Sequence, residues 1–413
     1  MSNKVTVIGA GIVGICSALQ LQRRGFNVTL LDRKAPASET SSGNAGVISR
    51  GSIFPEAAPG IYRKLPAILT NRSRDARVHY GYLLQLSRWG RRALGCSRLA
   101  RFEANVSVLN ELVGGCLAEH QLLLADCGGE GLLRENGWLK LFREAGSFES
   151  SAEEQQVLGD CGVEFQRLSA ADINGLEQSL KSIFAGGLWI KSTASVSSPA
   201  AVCELYAKLF VEAGGEVVCD ELQQLRPVDN GWRIDCVNTN RESDKVVMAL
   251  GAWSKVLLED LGYKVPMVVE RGYHMHYDLQ QGSSLGRPVF DVDGGYVMSP
   301  MQKGLRVTTG VEWGSENTAP TPVQVKQVKP FVQEAIDIQT ELDPEPWLGR
   351  RPCTPDSLPV ISAGHRHENL WAAFGHGHMG FSMGPITGRL VADLVTSSAS
   401  VPDTNAFSLS RFE

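Results

Sequence analysis

Six residues near the start, Gly9-Ala10-Gly11-Ile12-Val13-Gly14, constrain the fold of this chain more than any other feature. Residues 4–8 (KVTVI) before them read as a short buried strand. Residues 12–24 (IVGICSALQLQRR) after them place Ile12, Ile15, Leu19 and Leu21 at helical spacing, and Gly25 stops the helix. Residues 27–31 (NVTLL) read as a second strand, which completes the βαβ unit of a parallel sheet. In such a turn the first glycine permits the bend and the second lets a pyrophosphate approach the backbone. The third lets helix and strand touch. The helix then aims unpaired N–H groups and the positive end of its dipole at the phosphates. Asp32 ends the second strand, 21 residues after Gly11, where a carboxylate can accept two ribose hydroxyls. The expected ligand is a dinucleotide, NAD or FAD. The Ser/Gly loop Thr40-Ser41-Ser42-Gly43-Asn44-Ala45-Gly46 suits a longer diphosphate running on toward a flavin. A typical NAD domain would instead continue directly into further βαβ units.

Beyond Asp32 the pattern changes. Residues 35–60 are rich in Ser, Gly, Ala and Pro and read as a long ordered loop, which is usually functional. Residues 61–101 carry ten Arg or Lys with Tyr80, Tyr82 and Trp89 interleaved. That composition suits a solvated helical face, with a peripheral membrane or partner surface as the other reading. Residues 102–185 mix helical and short strand-like segments. Residues 199–213 form an amphipathic helix ending at Gly214-Gly215, followed by strands at 216–219 and 246–250. Residues 263–345 alternate strands with turns such as Asp293-Gly294-Gly295, a sign of antiparallel sheet. A buried strand at 370–374 leads through Gly375–Gly380 into a helix over 381–394. The expected fold is α/β: a Rossmann-like dinucleotide-binding domain from 1–80, 186–262 and 346–413. An α+β substrate domain on an antiparallel sheet, 81–185 and 263–345, is inserted into it.

At 413 residues and 43% hydrophobic composition, the chain has enough core for two or three domains. Its formal net charge of −5 gives no whole-molecule attraction for polyanions, which disfavours a nucleic-acid partner. Nine scattered cysteines include no C-x-x-C pair, so the expectation is reduced thiols, with no disulfide framework and no metal site. No stretch approaches the roughly 18 unbroken apolar residues of a spanning helix. The expected location is the cytoplasm, with peripheral contact at the inner face of the membrane through 61–101 as an option.

Read together, VIGAGIVG (7–14), TSSGNAG (40–46), GGLWI (186–190), VVMALGAWS (246–254), ERGYHMHY (270–277), WLGRRPCTPDSLPVI (347–361) and NLWAAFGHGHMGFSMGPITGRLVADL (369–394) resemble the D-amino acid oxidase and dehydrogenase superfamily of FAD-dependent flavoproteins. Within that superfamily the chain resembles the bacterial D-amino acid dehydrogenases. The resemblance implies that Gly9, Gly11, Ile12, Val13 and Gly14 hold the pyrophosphate of FAD, with Asp32 on the adenosine ribose and Arg33 beside adenine. It places Ser41, Ser42, Asn44, Ala45 and Gly46 along the diphosphate and flavin, and Val218 at adenine. Gly251 and Trp253 would close the nucleotide site. Gly375, His376, Gly377, His378, Met379 and Gly380 would lie by the flavin's pyrimidine edge. Backbone N–H groups at the start of the following helix suit the negative charge a reduced flavin gains there.

The resemblance also implies a small amino acid substrate, with Arg351 as its carboxylate anchor through two parallel hydrogen bonds. Arg350 should face elsewhere. Tyr273 and His274 are weaker candidates for the pocket wall. His378 either shapes substrate choice or is paired structurally near the cofactor. The implied reaction is oxidative deamination of a D-amino acid by hydride transfer from Cα to flavin N5, giving an imino acid. A cyclic D-proline or hydroxy-D-proline substrate would remain a ring imine. The implied acceptor is a quinone or the respiratory chain. The alternatives are an N-methyl amino acid or glycine oxidase, an RNA-modifying flavoprotein using 61–101, and a non-catalytic electron-transfer subunit.

Overall fold

The computed structural model describes residues 3–73, 76–315, 317–398 and 404–413, so residues 74 and 75 of the basic stretch lie outside the described residues. A six-stranded sheet runs in the order Glu216–Cys219, Asn27–Asp32, Lys4–Ile8, Lys245–Met248, Leu370–Phe374, Val360–Ala363. The first five strands are parallel and the last is antiparallel. Three distant stretches of chain therefore share one sheet.

Its strands are nearly all apolar because both faces are covered. Val5, Val7, Val28, Leu30, Val247 and Ala373 face a helical layer. Ile8, Leu31, Val246, Met248 and Phe374 face the other way, toward Trp232 and Ile234 of a small antiparallel sheet, Leu222–Val228, Gly231–Cys236 and Asn240–Ser243. Period-two alternation thus divides each strand between two cores.

The helical layer brings the chain's two ends together. Helix Ile12–Arg23 packs on Pro199–Glu212 and on the last helix, Gly380–Thr396. A Cβ on Gly388 would stand 2.5 Å from the carbonyl carbon of Cys16, and one on Gly384 2.8 Å from Ile12 Cγ1. Two glycines four apart give the last helix a flat face, and this face seats its N-terminal turn beside the turn at 9–14.

The larger sheet has eleven strands and is mixed. At its centre Val268–Leu279 pairs antiparallel with Gly304–Thr309 and Trp347–Cys353. Two pairings are parallel: Val289–Asp291 with Trp138–Phe142, and Val311–Trp313 with Ala76–Val78. Strand Gly186–Ile190, grouped with the nucleotide stretch on sequence grounds, lies in this sheet between Trp138–Phe142 and Phe165–Ser169. Helices Leu99–Gly114 and Cys116–Asp126, grouped with the substrate stretch, pack against the last helix instead. Apolar pattern reports that a face is buried, not which neighbour buries it.

Candidate active site

The two turns open on one cavity of about 1660 Å³, lined by Gly11, Asp32 and Trp253 and also by Glu56, Arg351 and His378. Small-ligand pockets commonly span about 300–1,000 Å³, so this one has room for an extended dinucleotide and a second small molecule.

The first βαβ turn forms one part of the wall. A Cβ on Gly14 would stand 1.7 Å from the carbonyl oxygen of Gly9, so helix and strand meet with no space between them. The Ile12 N–H at the helix start donates to Ser41 Oγ at 3.0 Å, which leaves the Ser41 hydroxyl proton to serve a phosphate. Asp32 accepts from the N–H of Ala10 at 2.7 Å and of Lys34 at 3.1 Å. Its carboxylate is thereby fixed across the turn, with lone pairs left for ribose hydroxyls. The Arg33 guanidinium lies 4.6 Å from the Trp253 ring centre, a cation–π contact. Arg350 lies near the same ring and Glu39, so it faces away from Arg351. Val218 is not in the cavity wall. It is paired with Leu31 within the sheet, and Asp220 to Gln223, just beyond it, line the cavity.

The loop at 40–46 is held by side chains far away in sequence. Asn44 Nδ2 donates to the Ser41 carbonyl at 2.7 Å, and its Oδ1 accepts from the Gly46 N–H at 2.8 Å. Ser42 donates to the Glu39 carbonyl, a turn contact. Arg306 donates to the carbonyls of Asn44, at 2.6 Å, and Ser42. Its Nε donates to His276 Nε2 at 3.0 Å, and His276 Nδ1 donates to Asp343 at 2.7 Å. Burial brings the Arg306 guanidinium down to about 10 against the pull of Asp343. Burial alone would raise Asp343, but its hydrogen bonds to Lys303 and His276 hold it at about 2. His274 lies on Trp347, with ring centres 4.8 Å apart, and bonds the Gly43 carbonyl at 2.8 Å. It buttresses the loop and does not line the cavity.

The C-terminal turn supplies the facing wall. Gly375 and Gly377 take φ of +81° and +54°. His376 is buried against Thr387 at 3.0 Å, and burial lowers it to about 3, so it is neutral at pH 7. His378 points the other way, its side chain 47% exposed, with Nδ1 3.2 Å from Glu56. The last helix begins at Gly380 and turns its positive end to this part of the cavity. A helix start, a fixed carboxylate and an open approach at Gly11, where a Cβ would meet only Ser41 Oγ, fit the diphosphate and ribose of FAD. The second helix start fits the anionic edge of its reduced ring.

Arg351 stands directly opposite Glu270 across paired strands and lies over the bare Cα of Gly272. Its guanidinium makes no hydrogen bond or ion pair among the described residues. Tyr273, one residue along, faces the opposite side of the strand. Its hydroxyl donates to Glu312 at 2.6 Å and accepts from Thr321 N–H and Arg271, so it has nothing left for a substrate. Strand alternation puts its side chain on the other face from Arg351, although Tyr273 too lines the cavity.

Two carboxylates that the sequence reading missed complete the site. Glu270 is 2% exposed; its Oε1 accepts from Trp313 at 3.1 Å, while its buried Oε2 has no hydrogen-bond partner. Carboxylate oxygens of Glu270 and Glu56 and the Cys353 sulfur lie within 4.8 Å of one another. His274, His276 and Asp343 form a second group of that spacing. Each group sits beside a guanidinium, Arg351 or Arg306, whose charge opposes a cation. Glu270-Arg271, two charges inside the apolar run VVERGYHMHY, was a readable signal. Glu56, in a Pro/Ala loop, left none.

A dinucleotide cradle opening into a ring-sized cavity, with an unpaired guanidinium on its wall, defines an FAD-dependent oxidoreductase. The family model for DAO, FAD dependent oxidoreductase, matches residues 4–394, and the chain belongs to that family. It is 30% identical to a D-amino acid dehydrogenase of Neisseria meningitidis over 99% of this chain and 100% of the relative. It is 29% identical to a D-amino-acid oxidase of Bradyrhizobium diazoefficiens, over 99% and 98%. The structure of glycine oxidase from Geobacillus kaustophilus superposes with a TM-score of 0.76 at 20% identity, covering 99% of each chain.

Proposed function

We propose that this chain carries out FAD-dependent oxidative deamination of a D-amino acid, giving an imino acid. The observation that carries the reading is Arg351, a guanidinium at the cavity wall with no direct hydrogen bond or ion pair among the described residues, opposite the buried Glu270. A guanidinium with no direct hydrogen bond is free to take a substrate carboxylate through two parallel hydrogen bonds. Bound FAD supplies two-electron acceptance from Cα. The protein's part is to hold the carboxylate on Arg351 and orient Cα. Support for the D-series comes from the relatives named D-amino acid oxidase and dehydrogenase at 28–30% identity over 99% of this chain. A primary amine gives an imine that water hydrolyses to a 2-oxo acid, whereas D-proline or hydroxy-D-proline gives a stable ring imine.

The acceptor in this reading is a quinone of the respiratory chain, reached at a membrane surface. Tyr62, Leu69, Tyr80, Leu84, Leu94 and Leu99 are exposed large apolar side chains around the 61–101 stretch. Leu69, Leu94 and Leu99 also line the cavity, so its rim is apolar and flanked by Lys64 and Arg91. Among the described residues no helix is long and apolar enough to cross a membrane. The deciding experiment is an anaerobic flavin-bleaching screen across D-, L- and N-methyl amino acids, with both prolines included. Bleaching by D-substrates is expected, and bleaching only by L- or N-methyl substrates refutes the reading. Sedimentation with anionic vesicles, lost in a Leu84→Glu/Leu94→Glu variant, tests the membrane contact.

A further inference from the structure

We propose that Glu56 is the proton acceptor for the substrate amine, and that Glu270 is a protonated partner holding Glu56 in place for it. This assignment rests on the amino acid reading above and adds to it the group that receives the amine's proton.

The groups facing Glu56 come from three elements. They are Glu270 on the central strand, Arg351 and Cys353 on the paired strand, and His378 on the C-terminal turn. Glu270 is almost wholly buried, with its Oε2 unpartnered and within a few ångströms of Glu56. Two carboxylates this close cannot both be ionised in a buried site. Burial and the charge of Glu56 drive Glu270 well above the ordinary carboxylate range, although Arg351 opposes them. Burial also acts upward on Glu56, but its bond to His378 and the charges of His378 and Arg351 outweigh it, and its carboxyl is held below the ordinary value. The pair therefore keeps one proton, on Glu270, which then bridges to Glu56.

With Glu270 neutral, Arg351 and Glu56 stand at this end of the cavity as a positive and a negative group, with His378 on the solvent side of Glu56. That is the charge pattern of a zwitterionic amino acid turned inside out. A carboxylate on Arg351 brings the ammonium to Glu56. Arg351 makes no direct hydrogen bond or ion pair with either glutamate among the described residues, although its charge acts on both. In the transfer an N–H bond breaks and its electron pair stays on nitrogen, while an O–H bond forms on Glu56. The lone pair left on nitrogen is what permits loss of hydride from Cα. The Glu56 side chain is 29% exposed, and its proton returns to solvent once the product leaves.

The test compares FAD-loaded wild type, Glu56→Gln and Glu270→Gln in anaerobic stopped-flow across pH. At pH 7, Glu56→Gln slows flavin reduction by about 100-fold or more. The deficit closes about tenfold per pH unit as the amine arrives already neutral. Benzoate, a carboxylate with no amine, perturbs the flavin spectrum of Glu56→Gln with at least wild-type affinity, while D-amino acid affinity falls. Glu270→Gln loses a protonated-carboxyl infrared band present in wild type. A Glu56→Gln pH profile parallel to wild type, or benzoate and amino acid affinities falling together, overturns the assignment while leaving the amino acid reading intact. Wild type that no amino acid bleaches overturns that reading, and this assignment with it.

Discussion

Gly272→Ala isolates the position of Arg351 from its charge. An added Cβ would stand 2.4 Å from Arg351 Nη2, 2.7 Å from Cζ and 3.1 Å from Nη1. The backbone at 272 is ordinary strand, which alanine adopts without strain, and the obstruction is the end of a long side chain. Folding should therefore be nearly unaffected. The guanidinium must retreat by about 1 Å to reach ordinary contact, and a displacement of that size at a reacting centre costs about 100-fold in rate. That corresponds to about 2.7 kcal/mol of transition-state stabilisation. The assay is kcat/KM for the best D-amino acid with an artificial acceptor, alongside Tm and the flavin spectrum. Gly272→Ala should lose about 100-fold with Tm unchanged, and Arg351→Met should lose at least as much. The double variant should be no worse than Arg351→Met, because both remove one interaction. If Gly272→Ala stays within threefold of wild type while folded and flavin-loaded, Arg351 is not the carboxylate anchor.

Three further outcomes follow from the same geometry. Gly388→Ala drives a Cβ to 2.5 Å from the backbone of Cys16 and should cost about 1–3 kcal/mol, seen as a lower Tm together with reduced FAD occupancy. Arg306→Met removes charged hydrogen bonds to the Ser42 and Asn44 carbonyls, each worth about 1.5–3 kcal/mol, and should weaken FAD binding at least tenfold in a fluorescence titration. His120, His274 and His376 are buried neutral, lowered by burial to about 4, 3 and 3. Between those values and the ordinary one near 6.5 the unfolded chain binds more protons, so acidification destabilises the fold. The slope is about 1.4 kcal/mol per pH unit for each histidine. Denaturant unfolding at pH 7 and pH 5 should show this loss, reduced in His376→Gln; equal stability at the two values refutes it.

The legible parts of this protein were those encoded within a few tens of residues. The turn at 9–14, its helix and strands, Asp32 and the final glycine–histidine turn each have a local pattern, because backbone geometry and helix periodicity are local properties. The candidate site was legible only at residues of that kind and at Arg351, which stood in a specific motif. Tyr273 and Arg351 illustrate the limit: both lie on strands of one sheet and line the cavity, and only the register, Glu270 opposite Arg351 and Gly272 opposite Gly349, decides which of them shares a face with Glu270. Val218 shows the same limit at the other end, since sheet pairing withdraws it from the cavity wall.

By itself the sequence determined the dinucleotide cradle and the α/β class, and it singled out Arg351 as the proposed carboxylate anchor. Each depends on spacing along the chain or on one residue's chemistry. Only the tertiary structure brings the carboxylates of Glu56 and Glu270 together near Arg351, and sets Arg306, backed by His276, against the loop at 40–46. Glu56 and Glu270, and Arg306 and its partners Ser42 and Asn44, are more than 200 positions apart, and the ionisation of a carboxylate depends on neighbours that folding alone brings within reach.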